Sequence, residues 1–207
     1  MNILLTGFEP FGGEKINPSW EVVKKIKGKM YGANIYPLLL PVAFKKAAEI
    51  IKNEMQRLDF DAVLSIGQAG MRSALSIEYI GLNLRHSKQP DEFSNSPYFE
   101  KISEEGPDAI VSNLPIEKIL KKWEENMIPA YLSLSAGAYV CNDIMYSTAL
   151  YCKQKNIKSG FVHIPYIKEQ VIDSPQNKPF MELDTIKKAI EVAIEEIIKD
   201  IEGGRID

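Results

Sequence analysis

Met1-Asn2-Ile3-Leu4-Leu5-Thr6-Gly7 opens the chain, Phe8-Glu9-Pro10-Phe11-Gly12-Gly13 follows, and Asn17-Pro18-Ser19-Trp20 comes shortly after. The short apolar run Ile3–Leu5, closed by Thr6-Gly7, suits a buried strand. The Gly- and Pro-containing stretch after it reads as a loop. Asn17 is a favourable helix N-cap, and Pro18 has the fixed φ that suits a first helical position. A helix is therefore expected to run to about Ile26, burying Trp20, Val23 and Ile26. One strand, one loop and one helix in this order make the unit from which an α/β fold is built.

The unit recurs along the chain. Ile35–Val42 reads as a second strand, and Phe44, Ala47, Ile51, Met55 and Leu58 form a helical stripe. Ala62–Ile66 is a third buried strand, closed by Gly67-Gln68-Ala69-Gly70. Ser76–Leu84 alternates, which puts Glu78, Ile80, Leu82 and Leu84 on one face and Asn83 and Arg85 on the other. Ile116, Ile119, Leu120 and Trp123 mark another helix, and Tyr131–Leu134 another strand. After the Ser135-Ala136-Gly137 break a helix is expected to about Gln154, then a strand over Gly160–Ile167. Asp184 is expected to cap a final helix whose buried stripe runs from Ile186 to Ile201. The pattern predicts one catalytic domain over 1–207, a three-layer α/β/α sandwich with a mixed, mostly parallel twisted sheet. A polar excursion at about 86–107 interrupts it, and a loop of that length in a compact domain is usually functional or an arm to a neighbour. In such a sheet ligands sit beyond the carboxyl ends of the strands.

Composition removes several function classes. The 207 residues are 45% hydrophobic and 26% charged, as in an ordinary globular domain. A net charge of −3 lacks the basic excess of a nucleic-acid binder. The longest apolar run, near Tyr36–Phe44, is broken by Pro37 and Pro41 and is far short of a membrane span. The N-terminus lacks a basic leader, so no signal peptide is expected. Two cysteines and two histidines, without paired metal-ligand spacing, argue against a disulfide scaffold and against a structural zinc site. The expectation is a cytoplasmic domain with reduced thiols and neither metal nor cofactor.

Either thiol could then be chemical. Cys141 falls in the first turn or two of its helix, where free N–H groups and the helix's positive end are expected to lower a thiol pKa. Those N–H groups also suit an acyl-transfer oxyanion. The alternative is a small buried hydrophobe. Cys152, eleven residues on, shares the helix face but lies ~16 Å further along, too far to bridge, and reads as structural. His163 sits near the end of an apolar strand, either as a hydrogen-bonded core residue or as a base. His86, in a polar stretch, reads as solvated. Glu78 on an apolar face needs a partner, which is Arg72 or Arg85 in a structural role, or His163 held in one tautomer. Phe8 and Phe11 either fold inward as satellite core or wall a pocket for a flat, uncharged group.

Four blocks together resemble a known family. Thr6–Gly13 with Asn17-Pro18-Ser19-Trp20-Glu21, Gly67-Gln68-Ala69-Gly70-Met71-Arg72 with Glu78 downstream, Ser135–Tyr146 around Cys141, and Gly160–Tyr166 around His163 resemble, in order, the motifs of the pyroglutamyl peptidase I family. The resemblance implies a phosphorylase/hydrolase-like fold and a cysteine exopeptidase that cleaves after an N-terminal pyroglutamyl residue through a thioester. It implies a Cys141, His163 and Glu78 triad and a lactam pocket of Phe8, Phe11, Gln68, Tyr139 and Val140. It further implies a cytosolic homotetramer that acts on pyroglutamylated peptides without a cofactor. Three positions depart from the family pattern: Met71 stands where Gly is usual, Tyr79 where Arg follows the acid, and Lys88 where Arg is common.

Three rival readings remain at this stage. A glutaminase-type amidase would carry G-x-C-x-G, whereas Cys141 sits in Tyr-Val-Cys-Asn. A nucleoside phosphorylase-like enzyme would need a cationic phosphate site. A binding protein could keep the pocket without the reactive thiol.

Overall fold

The computed structural model describes residues 1–172 and 177–204; residues 173–176 and 205–207, part of the expected 1–207 domain, lie outside the described residues. In chain order the elements are β1 (Asn2–Phe8), α1 (Pro18–Val23), β2 (Gly28–Met30), β3 (Ala33–Leu40), α2 (Lys46–Arg57) and β4 (Ala62–Gln68). Next come β5 (Leu75–Glu78), β6 (Ile80–Leu82), β7 (Ala109–Val111), α3 (Ile116–Glu125) and β8 (Ala130–Ser133). The last are α4 (Val140–Lys153), β9 (Lys158–Ile164), α5 (Lys168–Val171) and α6 (Leu183–Gly203).

One seven-stranded sheet runs in the order β2-β3-β1-β4-β9-β5-β8. Four of its six pairings are parallel, so it is mixed and mostly parallel as expected. Successive side chains of a strand point to opposite faces, and the two faces have separate cores. Ile3, Leu5, Ala62, Leu64, Ile66, Val162 and Ile164 pack with α1, α3 and α6. Leu4, Phe8, Val63 and Phe161 face the other way, against α2 and α4. The sheet is thus the middle of three layers.

Local chemistry explains most of the element ends. Asn17 caps α1 by accepting from Ser19 N, with Pro18 at the first helical position. α1 ends at Val23, a turn earlier than expected, and the short edge strand β2 follows. β9 ends at Ile164 because Pro165 has no N–H to continue a ladder. The cap of α6 is Glu182, not Asp184; Asp184 lies inside the first turn, where its carboxylate favours the helix's positive end.

The alternation over Ser76–Leu84 is not one strand. β5 belongs to the main sheet, whereas β6 pairs antiparallel with β7 in a separate ribbon. Tyr79 makes the crossing: its N–H donates to Ser133 O and its carbonyl accepts from Ser112 N. Beyond it the burial parity reverses. Gly81, Asn83 and Arg85 are buried, while Ile80, Leu82 and Leu84 are only half-buried. Glu78 therefore does not share a face with those three, and Arg85 is not an outward group. Arg85 Nε donates to Asp143 at 2.8 Å, and its guanidinium also reaches Glu100.

The 86–107 excursion is tied down along its length. His86 N donates to Ala138 O, Glu92 N to Val42 O, and Asp91 accepts from Phe44 N at 2.9 Å. His86 is not simply solvated, because its ring stacks on Phe99 at 4.3 Å. Among the described residues no helix is long and apolar enough to cross a membrane, and no three His, Cys, Asp or Glu side chains gather as a metal site.

Candidate active site

The single antiparallel step inside the parallel run, between β9 and β5, determines which side chains meet. Its register sets Ser76 opposite His163 and Glu78 opposite Phe161. Residues two apart on one strand share a face, so Glu78 and His163 become diagonal neighbours on the α4 side. His163 Nδ1 lies 2.7 Å from Glu78 Oε1. Both are buried, with the Glu78 side chain at 0% and that of His163 at 5% exposure. The same Glu78 oxygen accepts from Arg72 Nη1 at 3.1 Å and Ser76 Oγ at 3.2 Å, and Arg72 also bonds Ser76 Oγ. The choice between Arg72 and His163 was not exclusive: Glu78 holds both, and Arg85 is elsewhere.

These contacts set the charges. Burial pushes the Glu78 carboxyl up, but the bonds and charges of His163, with Ser133 and Arg72, outweigh it and hold the group below its ordinary value. Burial lowers His163 below 6.5 despite the opposing pull of Glu78. The pair rests as carboxylate and neutral imidazole. The Glu78 contact fixes the imidazole tautomer: Nδ1 carries the proton toward the carboxylate, and Nε2 is left free to accept.

Cys141 is the second residue of α4, as its position implied. Asp143 N, the first to do so, bonds back to Tyr139 O. The N–H groups of Val140, Cys141 and Asn142 therefore lack intrahelical acceptors. No side chain caps this helix start. The first turn is instead held laterally. Asn142 Oδ1 accepts from Leu82 N at 2.8 Å, its Nδ2 donates to Leu82 O and Leu84 O, and Asp143 accepts from Arg85 and Lys45 N.

One expectation about the thiol fails. Burial pushes Cys141 up to about 12, with the Glu78 charge adding to the rise, against smaller opposing effects of Arg72 and its own backbone N–H. Desolvation of the charged form outweighs the helix end. The resting group is a thiol, and Cys152, fully buried deeper in α4, is pushed up to about 12 as well.

Gly67 is the joint between these parts, and sequence reasoning treated it only as a strand terminator. It pairs in register with His163. A Cβ on it would lie 2.6 Å from the Phe161 ring and 3.2 Å from Cys141 Sγ. The thiol thus occupies space that any other residue would fill. Gly67→Ala is expected to displace Phe161 or Cys141, cost roughly 1–3 kcal/mol of stability and depress kcat. Thermal unfolding and steady-state turnover check this, and unchanged kcat would show that the thiol needs no such clearance.

Beside the thiol lies a small cavity of about 50 Å³. Phe8, Phe11, Gln68, Tyr139, Val140 and Cys141 line it, together with Asn17 and Val42. All five expected pocket residues come together there. The two roles weighed for the phenylalanines coexist: Phe8 ends β1 in the core and still forms a wall, while Phe11 is half-buried. Asn17 escaped notice as a pocket residue because its capping role already accounted for it. The walls are aromatic and aliphatic, and Asn17 and Gln68 are amides, so among the described residues nothing charged lines the cavity. A groove of about 410 Å³ between α2 and α4 is larger but contains none of the candidate residues. Met71, just beyond β4, has φ 66°, the left-handed conformation that glycine adopts without strain.

Comparison with known proteins agrees with this geometry. Residues 1–200 match the family model for pyroglutamyl peptidase. Pyrrolidone-carboxylate peptidase 1 of Caldanaerobacter subterraneus is 44% identical over 201 residues, spanning 96% of this chain and 98% of that protein. The pyrrolidone-carboxylate peptidase of Treponema denticola is 42% identical, with full coverage of both chains. A mutant pyrrolidone carboxyl peptidase from Pyrococcus furiosus superposes with a TM-score of 0.94 at 40% identity, over 97% of this chain and 100% of that one. Pyroglutamyl peptidase I from Bacillus amyloliquefaciens gives 0.89 at 37% identity, over 95% and 96%.

Proposed function

Since the chain belongs to the pyroglutamyl peptidase family, cysteine peptidases that remove N-terminal pyroglutamate, we propose that Cys141, His163 and Glu78 carry out that hydrolysis. What supports the assignment most directly is the buried 2.7 Å contact between His163 and Glu78. It lies one register step from the glycine that makes room for Cys141 Sγ.

The chemistry follows from the resting charges. A neutral imidazole with Nε2 free takes the proton of the Cys141 thiol as sulfur attacks the acyl carbon of the pyroglutamyl residue. Proton transfer during attack suits a thiol whose burial disfavours a standing thiolate. Glu78 stabilises the imidazolium that forms and keeps its ring oriented. The oxyanion meets the unpaired N–H groups of the α4 first turn, Cys141 among them. His163 then returns the proton to the leaving amine as the C–N bond breaks. Water, deprotonated by His163, attacks the thioester; pyroglutamate leaves and sulfur regains its proton. No step calls for a metal or cofactor.

Phe8, Phe11, Tyr139 and Val140 serve as walls for the flat lactam, and Gln68 as its hydrogen-bond partner. A cytoplasmic location suits a chain whose two cysteines are unpaired. A homotetramer is the assembly that the resemblance implies. The exposed Tyr131, Leu132 and Leu134 on and beside the edge strand β8 favour association of some kind. A pyroglutamyl anilide compared with the prolyl anilide tests the pocket. The prolyl ring lacks the lactam carbonyl, so its kcat/KM is expected to be lower by roughly 10⁴-fold, as where a site's buried polar groups lose their partner. Comparable values would remove lactam recognition.

A further inference from the structure

Gln170 supplies what the pocket residue Gln68 lacks on its own, a fixed direction for its amide. The two ends of a glutamine amide are nearly isosteric, and only their hydrogen bonds distinguish donor from acceptor. Gln170 is bracketed by two backbone groups whose polarity is not open to choice. On one side Ile167 N–H, which can only donate, faces Gln170 Oε1 at 3.3 Å. On the other, Ile16 O, which can only accept, faces Gln170 Nε2 at 3.5 Å. Nitrogen and oxygen of Gln170 are thereby assigned. Its Nε2 also donates to Gln68 Oε1 at 3.0 Å, so the Gln68 oxygen is turned toward Gln170. The Gln68 Nε2 group has no protein partner among the described residues, and Gln68, unlike Gln170, lines the cavity beside Cys141.

We propose that Gln170 is a positioning residue that sets substrate specificity: it turns the Gln68 amide so that an N–H donor, and not a carbonyl oxygen, is offered to the ligand. The inference rests on the reading of the cavity as the lactam pocket. A lactam carbonyl is an acceptor, so a donor recognises it and an acceptor repels it. Gln170 touches neither substrate nor reacting atoms; it acts through Gln68. The link is long in sequence, 102 residues. It exists because β4 and β9 are parallel neighbours, which brings α5, just after β9, to the end of β4.

The experiment compares Gln170→Glu with Gln170→Met on the pyroglutamyl and prolyl anilides. A carboxylate at position 170 still accepts from Ile167 N–H, although it gives up the bond to Ile16 O, as methionine also does. Being acceptor-only, it draws the Gln68 NH2 outward and swings the Gln68 oxygen into the pocket. Methionine keeps the length but gives up all three polar bonds, leaving Gln68 free to turn either way. The expected result for Gln170→Glu is a loss of roughly 10²-fold in kcat/KM on the pyroglutamyl substrate, mostly through KM, with little change on the prolyl one. Gln170→Met loses less than about tenfold by the same reasoning. A merely structural role predicts comparable losses, because glutamate leaves Ile16 O facing an acceptor and methionine leaves Ile167 N–H without one.

The double variant Gln68→Ala/Gln170→Glu should be no worse than Gln68→Ala alone, since the second change then has nothing to act through. Methionine as damaging as glutamate, or additive losses in the double variant, would overturn the proposal. If Gln68→Ala itself leaves the pyroglutamyl preference intact, the pocket reading falls and the relay with it. If Gln68→Ala abolishes the preference while Gln170→Glu does not, only the relay fails.

Discussion

Cys141→Ala reduces turnover of a pyroglutamyl anilide by roughly 10⁴-fold or more, to whatever binding and oxyanion contacts alone provide. The size of the effect follows from the site's economy: among the described residues no other nucleophile stands beside Gly67, and Cys152 is sealed within α4. The fold should survive, because alanine keeps the Cβ that packs against the core of that face. Cys152→Ala is the matched control, with near-normal kcat and a modest fall in thermal stability. Burst kinetics extend the test. Wild-type enzyme that accumulates an acyl-enzyme should show a burst of aniline, and the Cys141 variant none. Turnover of Cys141→Ala within tenfold of the wild type would exclude the thioester route.

Glu78→Gln is the second large effect, expected at roughly 10⁴-fold in kcat, as when a triad's orienting carboxylate loses its charge. Its more telling signature is the direction of a pH shift. Glu78 raises the pKa of His163 while burial lowers it. Removing the carboxylate leaves burial unopposed, so the acid limb of kcat/KM, which in the wild type lies below 6.5, moves to still lower pH. A limb that moves upward would mean that His163 is not the titrating base. Stability carries the matching sign. Glu78 is held below its ordinary 4.5, so its contribution is present above that pH and is lost as pH falls through the folded-state value. His163, also depressed, resists protonation in the folded state, so it too adds to loss of stability below 6.5. In Glu78→Gln the carboxylate's share of this dependence disappears and that of His163 grows, so acid unfolding followed by circular dichroism should begin nearer 6.5 than in the wild type.

The parts of this site that could be read in the sequence are those governed by local chemistry. Asn17-Pro18 announces a helix start because capping involves only neighbouring residues. Cys141 announces itself by its distance from the Ser135-Ala136-Gly137 break, and the alternation of strand and helix yields the layered architecture. What escaped depends on register across distant strands. Whether Glu78 meets Arg72, Arg85 or His163 is decided by the antiparallel offset between β5 and β9, which no local pattern encodes. The apparent alternation through Tyr79 misled for the same reason, since a chain that changes sheets keeps its hydrophobic spacing while its faces reverse. The thiol pKa departs from the expected direction because position on a helix is visible in sequence and burial is not. Gln170 carries no local mark at all; only the side-by-side arrangement of β4 and β9 gives it a purpose.

The order of strands has a final consequence. In the proposed assignment the cavity is lined mainly from the β3-β1-β4 side of the sheet, by Phe8, Phe11, Asn17, Val42 and Gln68, whereas the proton-transfer pair comes from β9 and β5. α4 bridges the two, with its nucleophilic turn fastened to the separate β6 ribbon by Asn142. On that reading, reshaping the loop between β1 and α1 would change which acyl ring is admitted while leaving His163 and Glu78 in place. Such a scaffold can change its clientele while retaining its trade.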